Sequence, residues 1–300
     1  MRSSIKPFVL PAAIACGLLF HDAIKFIAPL SPYLIFMMLL LTFTSIDLHK
    51  IRFTRLQLWL LLIQISVCWI PYVLLRGYSS DVAAGLFMCV FISTATAAPV
   101  VTKMLGGSVE MLVSYSLTSN LAFALLAPPF LSIISDTADV SVAATLLYIA
   151  RGVLPLLLVP LLVAYLLGRY APELRSRISR YSSLSFYLWA LALLIVVGNA
   201  VGLALEQQGA GIVQFAALFV GSAVLCAVQF YAGRVVGRHY GDPISGAQGL
   251  GQKNTVLAIW VATSYVSALA SLAPAAYILW QNIFNSWQLY RKTRREAAMR

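Results

Sequence analysis

Apolar runs separated by short polar or basic segments recur along the whole chain. A helix must offer about 20 mostly apolar residues to cross the ~30 Å hydrocarbon layer of a bilayer, and each run can be tested against that length. Ten windows qualify as candidate spans: 7–20, 28–46, 56–75, 82–105, 108–134, 143–168, 181–203, 210–236, 244–266 and 268–290. The first is short. The fourth and ninth carry polar or glycine-rich interruptions that a plain spanning helix would avoid.

Composition narrows the class. The chain is 61% hydrophobic and only 10% charged, with a mean hydropathy of +0.87, whereas globular domains are about half apolar and about a quarter charged. Soluble classes are excluded. So are collagen-like and disordered chains, because the glycines and prolines are scattered between apolar runs. The four cysteines lie inside those runs at unrelated spacings, which argues for packing rather than a disulfide framework or a zinc knuckle. The start, MRSSIKPFVLPAAIACGLLF, resembles a signal peptide but lacks a clear small-residue cleavage site, and reads as the first span.

The net charge of +11 would suggest nucleic acid in a soluble protein, but its distribution points to a membrane face, and no nucleic-acid partner is expected. With ten spans, sixteen Lys/Arg fall on one side, from Arg2 and Lys6 through Arg169–Arg180 to Arg291–Arg300, and three on the other, Lys25, Arg76 and Arg151. Lys103 and Lys253 fall within spans. The bias predicts a multi-pass protein of the cell inner membrane with both termini cytoplasmic. A missed or invented span would scramble it.

The longest basic connection, GRYAPELRSRISRYSS, divides the chain nearly in half. Two repeats of five helices, residues 1–136 and 137–300, would then run in opposite senses. Span 4 would correspond to span 9, where FISTATAAPVVTKMLGG faces SGAQGLGQKNTVLAIW, and span 3 to span 8, where Gln64 faces Gln229. Interrupted helices at corresponding positions of two halves point to a transporter's midplane site. The expected breaks lie near residues 94–99, around Pro99 with Ser93, Thr94, Thr96 and Thr102, and near 246–254, where Gly246, Gly249 and Gly251 precede Gln252, Lys253 and Asn254. Proline removes a backbone donor and glycine weakens a helix.

Lys253 is the residue with the most at stake. At membrane depth a charged side chain costs at least ~2.5–3.5 kcal/mol on insertion scales. The competing reading makes it a cytoplasmic flank that snorkels to the interface. No carboxylate falls mid-span, so a sodium or proton site built on a buried Asp or Glu lacks its usual anion. No HExxH spacing occurs and no Ser/His/Asp set falls at one depth, so neither a metal, a cofactor nor enzyme chemistry is expected. Asn120, Asn199, Gln281 and Asn282 are amides within spans, each sufficient as interhelical glue.

Several segments together resemble the bile acid:sodium symporter family and its wider ten-helix superfamily. LIFMMLLLTFTSIDLHKIRF is similar to the family's second helix, LLLIQISVCWIP to its third, the run from FISTATAAPVV through LAPPFLSII to its crossover helix and the next, and GLGQKNTVLAIW onward to its ninth and tenth. The resemblance covers most of the chain. It implies an all-α fold with a panel and a core of helices, two discontinuous helices crossing at mid-membrane, and a cavity for an organic anion beside them. Where the family's sodium ligands would sit, this chain departs. Ala98 and Pro99 replace a Ser-Asn pair. Gly249 replaces a glutamate and Lys253 a glutamine, while Gln64, Ser116 and Asn254 remain. The expectation is therefore alternating-access transport of small organic anions without sodium, with Lys253 in the sodium volume and protons as a candidate coupling partner. Expected site residues are Gln64, Thr94, Thr96, Pro99, Ser116, Asn120, Asn199, Gln252, Lys253 and Asn254. An intramembrane enzyme and a membrane sensory module are the alternatives. The first lacks a paired nucleophile and base, the second an output domain.

Overall fold

The computed structural model describes residues 6–24, 26–45, 52–135, 147, 151, 154–206 and 211–298, and in these it is helical throughout, with a single isolated β-bridge. The expected boundary between the two halves, at 136/137, lies outside the described residues, as do Arg2, Lys25, Lys50 and Arg300.

The helices are α1 (Lys6–Leu19), α2 (His21–Ile24), α3 (Ser31–Phe43), α4 (Arg55–Val67), α5 (Trp69–Leu75), α6 (Ser80–Phe91), α7 (Ala98–Leu105) and α8 (Val109–Ile134). They continue with α9 (Leu154–Tyr170), α10 (Pro172–Ser179), α11 (Ser185–Glu206), α12 (Ile212–His239), α13 (Pro243–Gly251), α14 (Thr255–Tyr265) and α15 (Leu272–Ala298). Nine of the ten sequence windows overlap one helix or two in series, and the described part of the remaining one, 143–168, overlaps α9 from Leu154. Four stretches are long and apolar enough to cross a membrane: Arg55–Leu75, Val109–Ile134, Ser182–Asn199 and Ile212–His239. Their outward faces are apolar too. On α12, Val220, Val224, Val228 and Val235 form an exposed stripe while Ser222, Gln229 and Gly233 face inward. A stripe of that kind is stable in lipid and would be a liability in water.

The helices pack as two groups. In the first, α1, α3, α9 and α11 bring Leu10, Met38, Phe43, Trp189 and Leu193 into one cluster, which α7 and α15 also touch. In the second, α4, α5, α8, α12 and α15 surround the two interrupted helices, α6–α7 and α13–α14, with an aromatic knot of Trp69, Phe87, Phe91 and Phe130 on one side.

The expected breakers do not make either interruption. α6 stops where Ile92 turns extended (φ −56°, ψ 149°) at the start of a β-branched and hydroxyl-rich run, whose side chains compete for backbone partners. Pro99 does not make the break. It sits in the first turn of α7, where its missing N–H costs nothing. The three glycines are not unwound either. Gly246, Gly249 and Gly251 all lie inside α13, and the second gap is only Gln252 to Asn254. Those glycines permit close approach. A methyl group on Gly233 of α12 would overlap the carbonyl oxygen of Gly246, and one on Gly251 would overlap the ring of Phe230. Helices that approach on small residues gain backbone van der Waals contact, which outweighs glycine's poor helix propensity.

α6 and α7 have 12 and 8 residues, α13 and α14 have 9 and 11. At 1.5 Å per residue each alone is shorter than a ~30 Å hydrocarbon layer, whereas each joined pair approaches it.

Candidate functional site

The two gaps meet. Thr94 and Lys253 form an antiparallel bridge, flanked by hydrogen bonds from the Ala95 amide to the Gln252 carbonyl (3.0 Å) and from the Asn254 amide to the Ser93 carbonyl (2.9 Å). Two short extended segments thus satisfy one another's backbone where neither can do so within its own helix. A buried helix interruption requires such partners.

The end of α6 shows how thoroughly the requirement is met. A helix leaves its last four carbonyls without intrahelical donors. Here those of Cys89, Val90, Phe91 and Ile92 are each reached by a side chain. Gln229 Nε2 donates to Cys89 (3.2 Å), Lys253 Nζ to Val90 (2.8 Å), Gln64 Nε2 to Phe91 (2.8 Å), and both Gln64 Nε2 (3.0 Å) and Lys253 Nζ (3.3 Å) to Ile92. Lys253 is only 1% exposed, so it is not a snorkelling flank. Its ammonium lies at the negative end of the α6 dipole, where a cation is favoured. Among the described residues no carboxylate pairs with it.

The end of α13 is answered by neutral groups. Thr94 Oγ1 donates to the Gly249 carbonyl (2.8 Å), and Tyr277 Oη donates to that of Gly251 (2.8 Å). The residues behind these donors are paired across the two helix ends as well. Tyr115 Oη donates to Gln64 Oε1 (3.1 Å), while Gln229 Nε2 donates to Tyr277 Oη (3.0 Å). Ser93 Oγ donates to Asn120 Oδ1 (2.8 Å), and the Lys253 amide donates to Gln281 Oε1 (2.9 Å). α8 and α15 therefore each present a tyrosine and an amide to the gaps.

Of the residues expected at the site, Gln64, Thr94, Ser116, Asn120, Gln252, Lys253 and Asn254 come together here. Asn120 Nδ2 donates to the Ser116 carbonyl (2.8 Å), and Asn254 caps α14 by accepting from the Leu257 amide (3.3 Å). Thr96 lies within the first gap and Pro99 one step beyond it, in α7. Asn199 is elsewhere, on α11 beside Gly198, which sits against Ile24 in the other helix group. Sequence reasoning missed Tyr115, Tyr277 and Ser119, whose hydroxyl accepts from the Thr94 amide (3.2 Å). A buried tyrosine needs a partner, and one in each of spans 5 and 10 was the available signal. The side-chain oxygens of Ser116 and Gln252 are buried without hydrogen-bond partners.

A cavity of about 760 Å³ opens between the two helix groups. Thr42 and Ser185 line it from one group, Lys103, Ser286 and Lys292 from the other. Lys103 Nζ donates to Ser45 Oγ, tying α7 to the end of α3. Lys292 Nζ donates to the Met104 carbonyl (2.7 Å) and lies 3.7 Å from Glu296 Oε1. The cavity's walls contain none of the gap residues themselves, but α7 runs directly from the first gap into it. Among the described residues no group of three His, Cys, Asp or Glu is placed to hold a metal ion.

Neither a known protein-family model nor a curated protein sequence matches the chain. The functional reading rests on the residues alone.

Proposed function

We propose that this protein is a secondary transporter of small organic anions, working by alternating access and without sodium. The observation that carries the reading is the Lys253 ammonium, buried where two interrupted helices meet and bonded to the carbonyls of Val90 and Ile92. A fixed cation there organises freed carbonyls as a mobile cation would, so the meeting point holds together without an imported ion. Burying an unpaired charge is expensive, and intramembrane ionisable residues are functional by default.

In this reading ten helices cross the inner membrane as a five-plus-five inverted repeat with cytoplasmic termini. The group of α1, α3, α9 and α11 forms a panel and the remainder a core, making the chain a divergent member of the bile acid:sodium symporter superfamily. The duplicated Gln–Tyr pairs support the repeat, and the antiparallel meeting of the gaps supports its inversion. The cavity between the groups, with Lys103 and Lys292 on one wall, is the route for a carboxylate. Rocking of the core against the panel would open it to one face and then the other, breaking the Lys103–Ser45 contact. Protons are the coupling ion to test first.

The decisive experiment is uptake of a panel of carboxylates into proteoliposomes, with and without a sodium gradient. Uptake or exchange of a carboxylate at equal rates in both arms is expected. A tenfold gain in substrate affinity with sodium, about 1.4 kcal/mol of coupling, would refute sodium independence. Absence of uptake across the panel in both arms would refute organic-anion transport.

A further inference from the structure

A second concave surface lies apart from the gaps, between the C-terminal parts of α12 and α15. It encloses about 740 Å³ and is graded along its length. Nearest the middle of the helices, Phe230 and Phe284 stack with centroids 5.6 Å apart, with Tyr231 and Trp287 at the open side. One turn further on come Arg234 and Arg291, and another turn on, Arg238 and Arg295. The spacing of three or four residues puts each helix's aromatic and guanidinium groups on the same face.

The arginines are unusual in having no anion. None of these four forms an ion pair among the described residues. All four line the same groove. Arg234 Nη2 instead donates to Gln288 Oε1 (2.8 Å), and Arg291 stacks 4.9 Å above the Trp287 ring. The lining's one carboxylate, Glu296, is already engaged by Lys292. Four guanidinium groups held together without a counter-charge repel one another, and a bound anion would relieve that repulsion.

We infer that this groove is a binding site for an anionic phospholipid, whose phosphate takes the Arg234, Arg238, Arg291 and Arg295 rim and whose acyl chain lies along Phe230, Phe284 and Trp287. Charge complementarity identifies the headgroup. The aromatic floor, opening on the exposed apolar face of α12, identifies a lipid rather than a free anion. Basic clusters at the membrane end of packed helices recognise headgroups in this way. The inference rests on the protein lying in a membrane and not on its transporting anything.

The test uses the full chain in a neutral detergent, titrated with phosphatidylglycerol or phosphatidylcholine and followed by native mass spectrometry and thermal unfolding. Phosphatidylglycerol is expected to bind and raise the melting temperature, and phosphatidylcholine to do neither. Arg238→Gln with Arg295→Gln should weaken phosphatidylglycerol binding by about tenfold. Arg177→Gln with Arg180→Gln, an equal charge loss at the exposed C-terminal end of α10, should change it less than about twofold. Both pairs are exposed, so folding is preserved. Trp287→Ala should also weaken lipid binding. Equal losses in the two double variants, equal binding of both lipids, or displacement of the lipid by inorganic phosphate would overturn the proposal.

Discussion

The ends of α6 and α13 pose the same problem and receive different answers. Each stops inside the protein with carbonyls that water cannot reach. At α13 the donors are the hydroxyls of Thr94 and Tyr277, both neutral. At α6 they are two glutamine amides and an ammonium. Hydroxyls of the neutral kind suffice to hold a helix end, so the lysine at the other end is more than structural necessity requires. The asymmetry places one positive charge in an otherwise duplicated arrangement, and a charge is what an anion carrier would need there.

Removing the charge tests the asymmetry most severely. Lys253→Ala leaves the Val90 carbonyl with no donor, a buried unsatisfied group costing about 1–3 kcal/mol, and uptake should fall by about two orders of magnitude with the protein still inserted. Transport with sodium restored in this variant would mark the vacated volume as a cation site. Normal uptake by Lys253→Ala across the pH range would end the functional role assigned to Lys253.

The paired glutamines come next. Gln64 serves two carbonyls and Tyr115, whereas Gln229 serves one carbonyl and Tyr277 and leaves its own Oε1 unpartnered. Gln64→Leu should therefore lower stability by about 2–3 kcal/mol and Gln229→Leu by about 1–2 kcal/mol, read as detergent thermal unfolding. The reverse order would mean that the second half, not the first, depends more on its amide.

The smallest effect is expected at Thr94. Thr94→Val keeps the shape but leaves the Gly249 carbonyl without its side-chain donor, a loss of about 1 kcal/mol at the lower end of the range for an unsatisfied buried acceptor, while Thr94→Ser should be close to neutral. Uptake should survive both. If Thr94→Val abolished uptake as completely as Lys253→Ala, the two gaps would be functionally equivalent, and the charge would not distinguish them.

Particular residues show why the site was only half legible. Gln64 and Gln229 were matched from sequence because a polar amide in an apolar run stands out and recurs at corresponding positions. Pro99 and Gly246, Gly249 and Gly251 were read as breakers from local propensity, yet all four are helical. Proline is harmless in a first turn, and the glycines are held by backbone contact with α12. Asn199 resembled Asn120 in every local respect, but only Asn120 faces the gaps.

Apolar run length and polar interruption act locally along the chain, and they alone determined that this protein is helical, where its helices lie and that two are interrupted. The partners of each interruption come from other helices, some next in the chain and some more than a hundred positions away, as with Lys253 and Val90. Only the tertiary structure decided that Lys253 is buried on α6's last carbonyls instead of reaching the interface, because that choice turns on which unsatisfied acceptors the packed helices bring within its reach.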